Sequence, residues 1–208
     1  MYNELMKRYP ALDQCGEDIK AAVSAIVACY EAGGKVMLCG NGGSAADCDH
    51  IVGELMKGFL KLRPVSDEAR EQMKKASPEL DDELIGKLQC GLPAIALPYI
   101  SALNSAFCND VDPELIYAQS LFALAKRGDV LIAMSTSGNA KNVFAAVKVA
   151  RALGVTVIGL TGSKGGKLFE HSDICIRVPE NETFKIQELH LPVYHYICAA
   201  VEEHFFKA

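Results

Sequence analysis

Two segments rich in glycine and hydroxyl groups each follow a short apolar run and precede a helical pattern. The first is Cys39-Gly40-Asn41-Gly42-Gly43-Ser44 and the second is Ser135-Thr136-Ser137-Gly138-Asn139. A helix N-terminus offers unpaired N–H groups and a partial positive charge, and glycine lets a ligand approach the backbone closely. One hydroxyl is enough to cap a helix, so three in a row favour binding of a phosphate monoester at the second segment. The first segment matches neither a dinucleotide-binding nor a Walker pattern, and a simple tight turn is its alternative interpretation.

A second group of polar side chains could carry acid–base or metal chemistry. His50 and Glu54 are four residues apart in a helical pattern that begins near Ser44, so they share one helix face. Three more candidates lie on a helical pattern near the C-terminus: Gln187, His190 and His195. A carboxylate and two imidazoles suit zinc or a similar divalent ion, and they also suit proton transfer. A lone His–Glu pair is more often an ordinary surface contact, but its position just after the glycine-rich segment favours a functional site.

These candidate groups need an alternating scaffold to hold them. Apolar runs predict five strands, at 35–40, 94–97, 129–134, 155–160 and 174–178. Helical patterns occupy 16–34, 113–126, 140–152 and 184–206, the last with its path disturbed by Pro192. The alternation predicts a three-layer α/β sandwich with a five-stranded parallel sheet, forming a single domain over 1–208. The charged segment 63–89 falls outside this alternation, and is either a solvated helical excursion or a lid that faces a partner or substrate.

Composition narrows the class of protein. The chain has 208 residues and a net charge of −5, which argues against broad binding to nucleic acid or to anionic membranes. Its apolar and charged fractions exclude disordered and fibrous classes. Without an apolar run near the ~18 residues of a membrane span or a signal-peptide core, a cytoplasmic location is expected. The eight cysteines form no CxxC pair and lie mostly in apolar runs, so we expect reduced, buried thiols.

Several segments, taken together, resemble the sugar-isomerase (SIS) family, and within it the phosphoheptose isomerases. They are CGNGGSAADCDHIVGEL, CND, AMSTSGNAKNV, LTGSKGGKL and ETFKIQELHLPVYH. The resemblance covers most of the chain except 63–89. The resemblance implies an SIS fold and an aldose–ketose isomerase that converts D-sedoheptulose 7-phosphate to D-glycero-D-manno-heptose 7-phosphate through an enediol(ate). It further implies a homotetramer with sites at subunit boundaries and no organic cofactor.

The resemblance also assigns roles to individual residues. It implies one zinc ion held by His50, Glu54, Gln187 and His195. His190, three residues after Gln187, is a competing candidate that the family pattern places below His195. Substrate contacts would be Asn41, Gly42, Gly43, Ser44, Asn109, Asp110, Ser135, Thr136, Ser137 and Gln187. Glu54 would act as base and His195 as acid.

Two departures from the family leave the sugar specificity open. Ala140 stands where the family usually has another serine, and 63–89 replaces a short connection. The alternatives are an isomerase for another phosphosugar and a non-catalytic SIS-domain binding protein. The presence of both Glu54 and His195 favours an enzyme.

Overall fold

A single parallel sheet forms the centre of the protein. The computed structural model describes residues 1–206. Its strands are β1 (Val36–Cys39), β2 (Ala94–Ala96), β3 (Val130–Met134), β4 (Thr156–Gly162) and β5 (Ile174–Val178). They pair in the order β2-β1-β3-β4-β5, all parallel, which confirms the predicted five-stranded α/β class. After β1 the chain first extends the sheet on one side through β2 and then on the other through β3, so the strand order reverses between β1 and β3.

Helices cover both faces of this sheet. Among the described residues they are α1 (Tyr2–Arg8), α2 (Gly16–Glu31), α3 (Gly43–Met56), α4 (Asp67–Ala76), α5 (Asp82–Lys87), α6 (Ser101–Asp110), α7 (Ile116–Leu124), α8 (Lys141–Leu153), α9 (Gly166–His171) and α10 (Thr183–Phe205). Side chains of α2, α3 and α10 fill the core on one face of the sheet, whereas α7, α8 and α9 fill the core on the other. These layers form the expected sandwich.

The two central strands β1 and β3 are apolar throughout because both of their faces are covered. In β3, Val130, Ile132 and Met134 face the α2/α3/α10 core, while Leu131 and Ala133 face the α7/α8/α9 core. All five residues of β3 are buried. Burial stabilises the fold by about 1.5–3 kcal/mol for each large apolar side chain. The ends of such strands are therefore fixed points on which loops can be held.

Several element boundaries differ from the predicted ones. β2 stops at Ala96, and a 3-10 turn over Leu97–Tyr99 follows because Pro98 has no N–H to give to the sheet. The helix expected from 113 starts as a 3-10 turn over Pro113–Leu115 before α7. Conversely, α10 continues through Pro192 as one helix of 23 residues.

The segment 63–89 is helical, as predicted. α4 buries none of its residues, and α5 buries Ile85. The side chain of Ser66 accepts the N–H of Ala69 at the start of α4, and Asp81 caps α5 in the same way. These exposed, capped helices fit a solvated excursion.

All eight cysteines carry free thiols, but they are not all buried as expected. Cys90 is partly buried, and Cys108 is exposed because it lies on α6, a helix that buries none of its residues. Among residues 1–206, no helix is both long and apolar enough to cross a bilayer.

Candidate active site

A cavity of about 390 Å³ lies where β1 and β3 end, which is the point at which the strand order reverses. Open α/β sheets bind ligands at such switch points. The cavity is lined by Asn41, Gly42, Gly43, Ser44, Met134, Ser135, Thr136, Ser137, Ala140, Thr183 and Gln187. The fold therefore brings both glycine- and hydroxyl-rich segments to one place and adds the N-terminal turns of α10.

Glycine is required where the walls of this cavity meet. A Cβ added to Gly43 would lie 2.6 Å from Nε2 of Gln187, so any larger residue would displace that side chain. Gly138 has a φ of 67°, and a Cβ there would overlap the carbonyl oxygen of Gly165. The hydroxyl segment is thus held against Gly165 and Gly166 at the start of α9, and a side chain at Gly138 would push the two loops apart.

The hydroxyl segment presents donors without a positive side chain. Ser135 Oγ accepts the N–H of Ala140, and Ser137 Oγ accepts the N–H of Asn139, at 3.4 and 3.2 Å. Both hydroxyl protons therefore remain available to a ligand. α8 has no side-chain cap at its N-terminus, because Ala140 carries no hydroxyl. All of the side chains lining the cavity are uncharged, so an anion would be held by hydroxyls, N–H groups and helix dipoles.

Asn41 is oriented by two residues that sequence reasoning did not single out. Its side-chain amide exchanges two hydrogen bonds with that of Asn142 in α8, at 2.8 and 2.9 Å. The hydroxyl of Tyr117 donates to the carbonyl of Gly40 at 2.6 Å and lies 3.1 Å from Oδ1 of Asn41. Asn142 belongs to a motif that carried the family resemblance, whereas Tyr117 has no local sequence signal. Together they fix one rim of the cavity.

A second group of side chains joins α3 to α10. His50 Nε2 lies 3.2 Å from Glu54 Oε1 and 3.5 Å from His195 Nε2. We call His50, Glu54 and His195 the acid–base trio. The side chain of Glu54 is only 14% exposed, and its Oε2 has no hydrogen-bond partner among the described residues. The ammonium of Lys57 is 3.7 Å from that oxygen.

Tyr194 links the trio to a further carboxylate. Its hydroxyl lies 3.1 Å from Nδ1 of His50 and 3.2 Å from Oδ1 of Asp47. When Asp47 is ionised it can only accept, so Tyr194 donates to Asp47 and receives the Nδ1 proton of His50. This arrangement leaves a lone pair on Nε2 of His50, directed at Glu54 and His195.

Burial shifts the pKa values around the trio. Burial and the neighbouring imidazole of His50 lower the pKa of His195, which favours a neutral imidazole. Burial raises the pKa of Asp47 against the opposing effect of the Tyr194 hydroxyl. His190 is fully buried, which lowers its pKa to about 4, and neither ring nitrogen has a hydrogen-bond partner among the described residues.

The predicted metal ligands do not all meet within one chain. Gln187 and His195 are eight residues apart on α10, which separates them by about 12 Å along the helix axis. Gln187 lines the cavity, whereas His195 lines a separate groove of about 680 Å³ between α1, α10 and the segment after α3. Within residues 1–206, no group of three or more His, Cys, Asp and Glu side chains has the geometry to hold a metal ion by itself.

Two predicted substrate contacts also lie apart from the cavity. Asn109 and Asp110 are exposed at the end of α6, where the amide of Asn109 donates to the carboxylate of Asp110 at 2.8 Å. Neither belongs to the cavity wall. In the single chain, the structure therefore separates three groups: the cavity, the acid–base trio and the Asn109–Asp110 pair.

Comparisons with known proteins agree with this architecture. Models of the SIS domain family match residues 100–198 and 3–82. The phosphoheptose isomerase of Rhodospirillum rubrum is 40% identical over 192 residues, which cover 92% of this chain and 88% of that protein. The structure of phosphoheptose isomerase GmhA from Neisseria gonorrhoeae has 30% identity and a TM-score of 0.76, and the match covers 97% of this chain and 95% of that one. A phosphoheptose isomerase structure from Francisella tularensis has 31% identity and a TM-score of 0.77, with coverage of 94% and 91%. With a shared fold and such identity over most of its length, the chain belongs to the phosphoheptose isomerases, a family of SIS-domain phosphosugar isomerases.

Proposed function

We propose that this protein interconverts D-sedoheptulose 7-phosphate and D-glycero-D-manno-heptose 7-phosphate. The observation that carries the proposal is that α3 and α10 each contribute both to the hydroxyl-lined cavity and to the acid–base trio. The cavity supplies uncharged donors for a phosphate, and the trio supplies groups for moving a proton. The identity to named phosphoheptose isomerases supports a seven-carbon substrate.

Glu54 is the base that removes a proton from the carbon next to the carbonyl. Its Oε1 lies 3.2 Å from Nε2 of His50, while its Oε2 is buried without a hydrogen-bond partner among residues 1–206 and can take the proton. Returning that proton to the neighbouring carbon, while a proton passes from the oxygen on C1 to the oxygen on C2, completes the conversion of the C2 ketone to the C1 aldehyde. A positioned base of this kind typically contributes 100-fold or more to the rate.

His195 donates to the substrate oxygen on which negative charge develops. Its lowered pKa keeps the imidazole neutral near pH 7, and a neutral imidazole can still donate its ring N–H to an enediolate oxygen. The phosphate, bound remotely by Ser135, Thr136 and Ser137, supplies binding energy that orients the reacting end.

The trio has donor chemistry that suits a zinc ion. The trio offers two imidazoles and one carboxylate, which are ligand types that zinc accepts, and His50 Nε2 lies 3.2 Å from Glu54 Oε1 and 3.5 Å from His195 Nε2. The contact of His50 Nδ1 with Tyr194 is the kind of support that metal-binding histidines have. His50, Glu54 and His195 would hold the ion, which would polarise the substrate carbonyl and stabilise negative charge on its oxygen.

A complete four-ligand set requires Gln187 from a second copy of the chain. One ion cannot contact both Gln187 and His195 of the same helix when they are about 12 Å apart. Large apolar side chains in the groove that His195 lines are exposed, with Leu60 at 65% and Leu191 at 41%, as expected of a surface that another subunit covers. This supports a homotetramer with sites at subunit boundaries. The free thiols support a cytoplasmic location.

Subunit mixing tests the completion of the site. Glu54→Gln chains and Gln187→Ala chains would each have lowered activity alone and would regain activity when mixed, because some sites would receive Glu54 from one chain and Gln187 from the other. No recovery in mixed oligomers would show that each site uses both residues of one chain. Elemental analysis should find one zinc per chain in the wild type and less in His50→Ala, and equal content would remove the zinc assignment.

Substrate identity is tested by following phosphorylated ketoses and aldoses by NMR. We expect conversion of sedoheptulose 7-phosphate to the corresponding aldose, with Glu54→Gln as the matched inactive control. If a pentose or hexose phosphate is turned over and the heptose phosphate is not, the substrate assignment is wrong and that sugar is the substrate. No turnover of any sugar, with binding retained, would indicate a binding protein.

A further inference from the structure

Arg63 and Glu202 form an ion pair that is almost completely shielded from water. Arg63 Nε donates to Glu202 Oε1 at 2.8 Å, and the two side chains are 0% and 1% exposed. The Glu202 carboxylate also accepts the backbone N–H groups of Phe59 and Leu60, at 2.8 and 2.7 Å. Burial alone would raise the pKa of Glu202, but these N–H groups and the guanidinium outweigh it and hold the pKa below its ordinary value. The carboxylate therefore stays charged beside Arg63.

The rest of the Arg63 guanidinium is bound to the end of α3. Nη1 donates to the carbonyl of Leu55 at 2.7 Å, and Nη2 donates to the carbonyl of Glu54 at 3.2 Å. The last carbonyls of a helix have no hydrogen-bond donor within it and carry partial negative charge. A buried guanidinium at this end supplies both the missing donors and a compensating positive charge. The guanidinium also lies over the ring of Phe206, 4.6 Å from its centroid.

This pair connects the two helices that carry the acid–base trio. One Arg63 bond goes to the backbone of Glu54 itself. Its partner Glu202 is seven residues after His195 on α10, which is two turns and about 10 Å along the same face. On the other side of Glu54, Tyr194 joins α10 to His50. The base is thus held between two links from α3 to α10.

We propose that Arg63 is a positioning residue that, paired with Glu202, fixes the Glu54 carboxylate relative to His195. The inference rests on the proposed isomerase function, in which these two groups share one proton-transfer site. Buried ion pairs are often no more stabilising than apolar side chains of the same size. Two apolar side chains could not hydrogen-bond the carbonyl of Glu54 or the N–H groups of Phe59 and Leu60. The contacts of the ion pair therefore point to a role in positioning Glu54.

The test compares Arg63→Lys with a neighbouring pair that lacks the carbonyl contacts. Lysine keeps the charge but cannot bind Glu202 and two carbonyls with one planar fork. Lys61, whose ammonium is 2.7 Å from Glu203, also joins the segment after α3 to α10, so Lys61→Ala is the matched control. We expect Arg63→Lys to lower kcat on the order of 10- to 100-fold with KM within twofold, as a misplacement of about 1 Å would. Lys61→Ala should leave both values within twofold.

A readout without substrate separates this inference from the proposed function. The imidazole NMR signals of His50 and His195 should move in Arg63→Lys and in Glu202→Gln, and stay in place in Lys61→Ala. Unchanged signals with unchanged kcat in a folded Arg63→Lys protein would overturn the inference, as would equal losses in Lys61→Ala. If Arg63→Lys does not fold, Glu202→Gln supplies the same two measurements. An inactive wild type would refute the isomerase function, while the imidazole signals would still test positioning.

Discussion

Replacing Gly43 by alanine should impair substrate binding without weakening the fold. The new Cβ would lie 2.6 Å from Nε2 of Gln187, so that amide must move by about 0.8 Å to reach an ordinary contact of 3.4 Å. Gln187 is the end of a flexible side chain, so the backbone need not shift. Gly43 begins α3, where alanine is favoured over glycine by up to ~1 kcal/mol in helix propensity.

The magnitude follows from that displacement. A misplacement of about 1 Å in a positioned group can cost on the order of 100-fold, so we expect Gly43→Ala to lower kcat/KM by roughly 10- to 100-fold. Most of the loss should be in KM, because Gln187 lines the cavity that holds the substrate before and during the reaction. The melting temperature should stay within a few degrees of wild type, about 2–4 °C per kcal/mol for a chain of this size.

A double-mutant cycle with Gln187→Ala is the deciding assay. The three atoms nearest to the added methyl group all belong to the Gln187 amide, so once that amide is gone Gly43→Ala should have little further effect. The expected coupling is about 1.4–2.7 kcal/mol, which corresponds to the 10- to 100-fold loss. A loss of the same size in both backgrounds would show that the methyl group acts on the α3 backbone and not through Gln187, and the reasoning would fail.

Three further predictions concern the trio and the fold. Glu54→Gln should remain folded but lower kcat at least ~100-fold, and near-normal turnover by the folded variant would assign the base elsewhere. Tyr194→Phe removes the hydroxyl between His50 and Asp47 and should lower kcat by roughly 10-fold with an unchanged melting temperature; a purely packing role for Tyr194 predicts no change in kcat. Burial would raise the pKa of Asp129, but the Lys35 ammonium and backbone N–H groups hold it below its ordinary 3.8. Its stabilising effect is therefore complete above about pH 4 and is lost as the pH falls further, so urea titrations should find wild type and Asp129→Asn converging below that pH.

The fold was more predictable than the assembly of the site. β3 is apolar on both faces and is followed by three hydroxyl residues. The sequence therefore indicates both that the strand is buried and that the hydroxyl residues lie at its carboxyl end. The contact between Gly43 and Gln187 joins residues far apart in the chain and leaves no local pattern. The eight-residue spacing of Gln187 and His195 on one helix already implies a separation of two helical turns, so the sequence itself indicates that one ion cannot contact both side chains of a single chain.

The sequence contains no pattern that predicts the buried ion pair between Arg63 and Glu202. Arg63 stands at the start of a strongly charged segment, where an arginine normally faces water. Its partner Glu202 is 139 residues away, near the end of α10. Arg63 and Glu202 are buried only because α3, α10 and the segment after α3 pack together in the folded protein.

The excursion 64–89 leaves and rejoins the protein at almost the same point. The carbonyl of Arg63 accepts the N–H of Cys90 at 2.7 Å, and Pro64 and Gln89 form an antiparallel bridge. Because its two ends are hydrogen-bonded to each other, the length of chain between them does not alter the positions of the catalytic helices. Each doubling of the loop length adds only about 0.6 kcal/mol to the entropic cost of closing the loop. The loop is therefore a natural graft point: a fluorescent reporter or an affinity tag spliced between α4 and α5 should be carried without disturbing the enzyme.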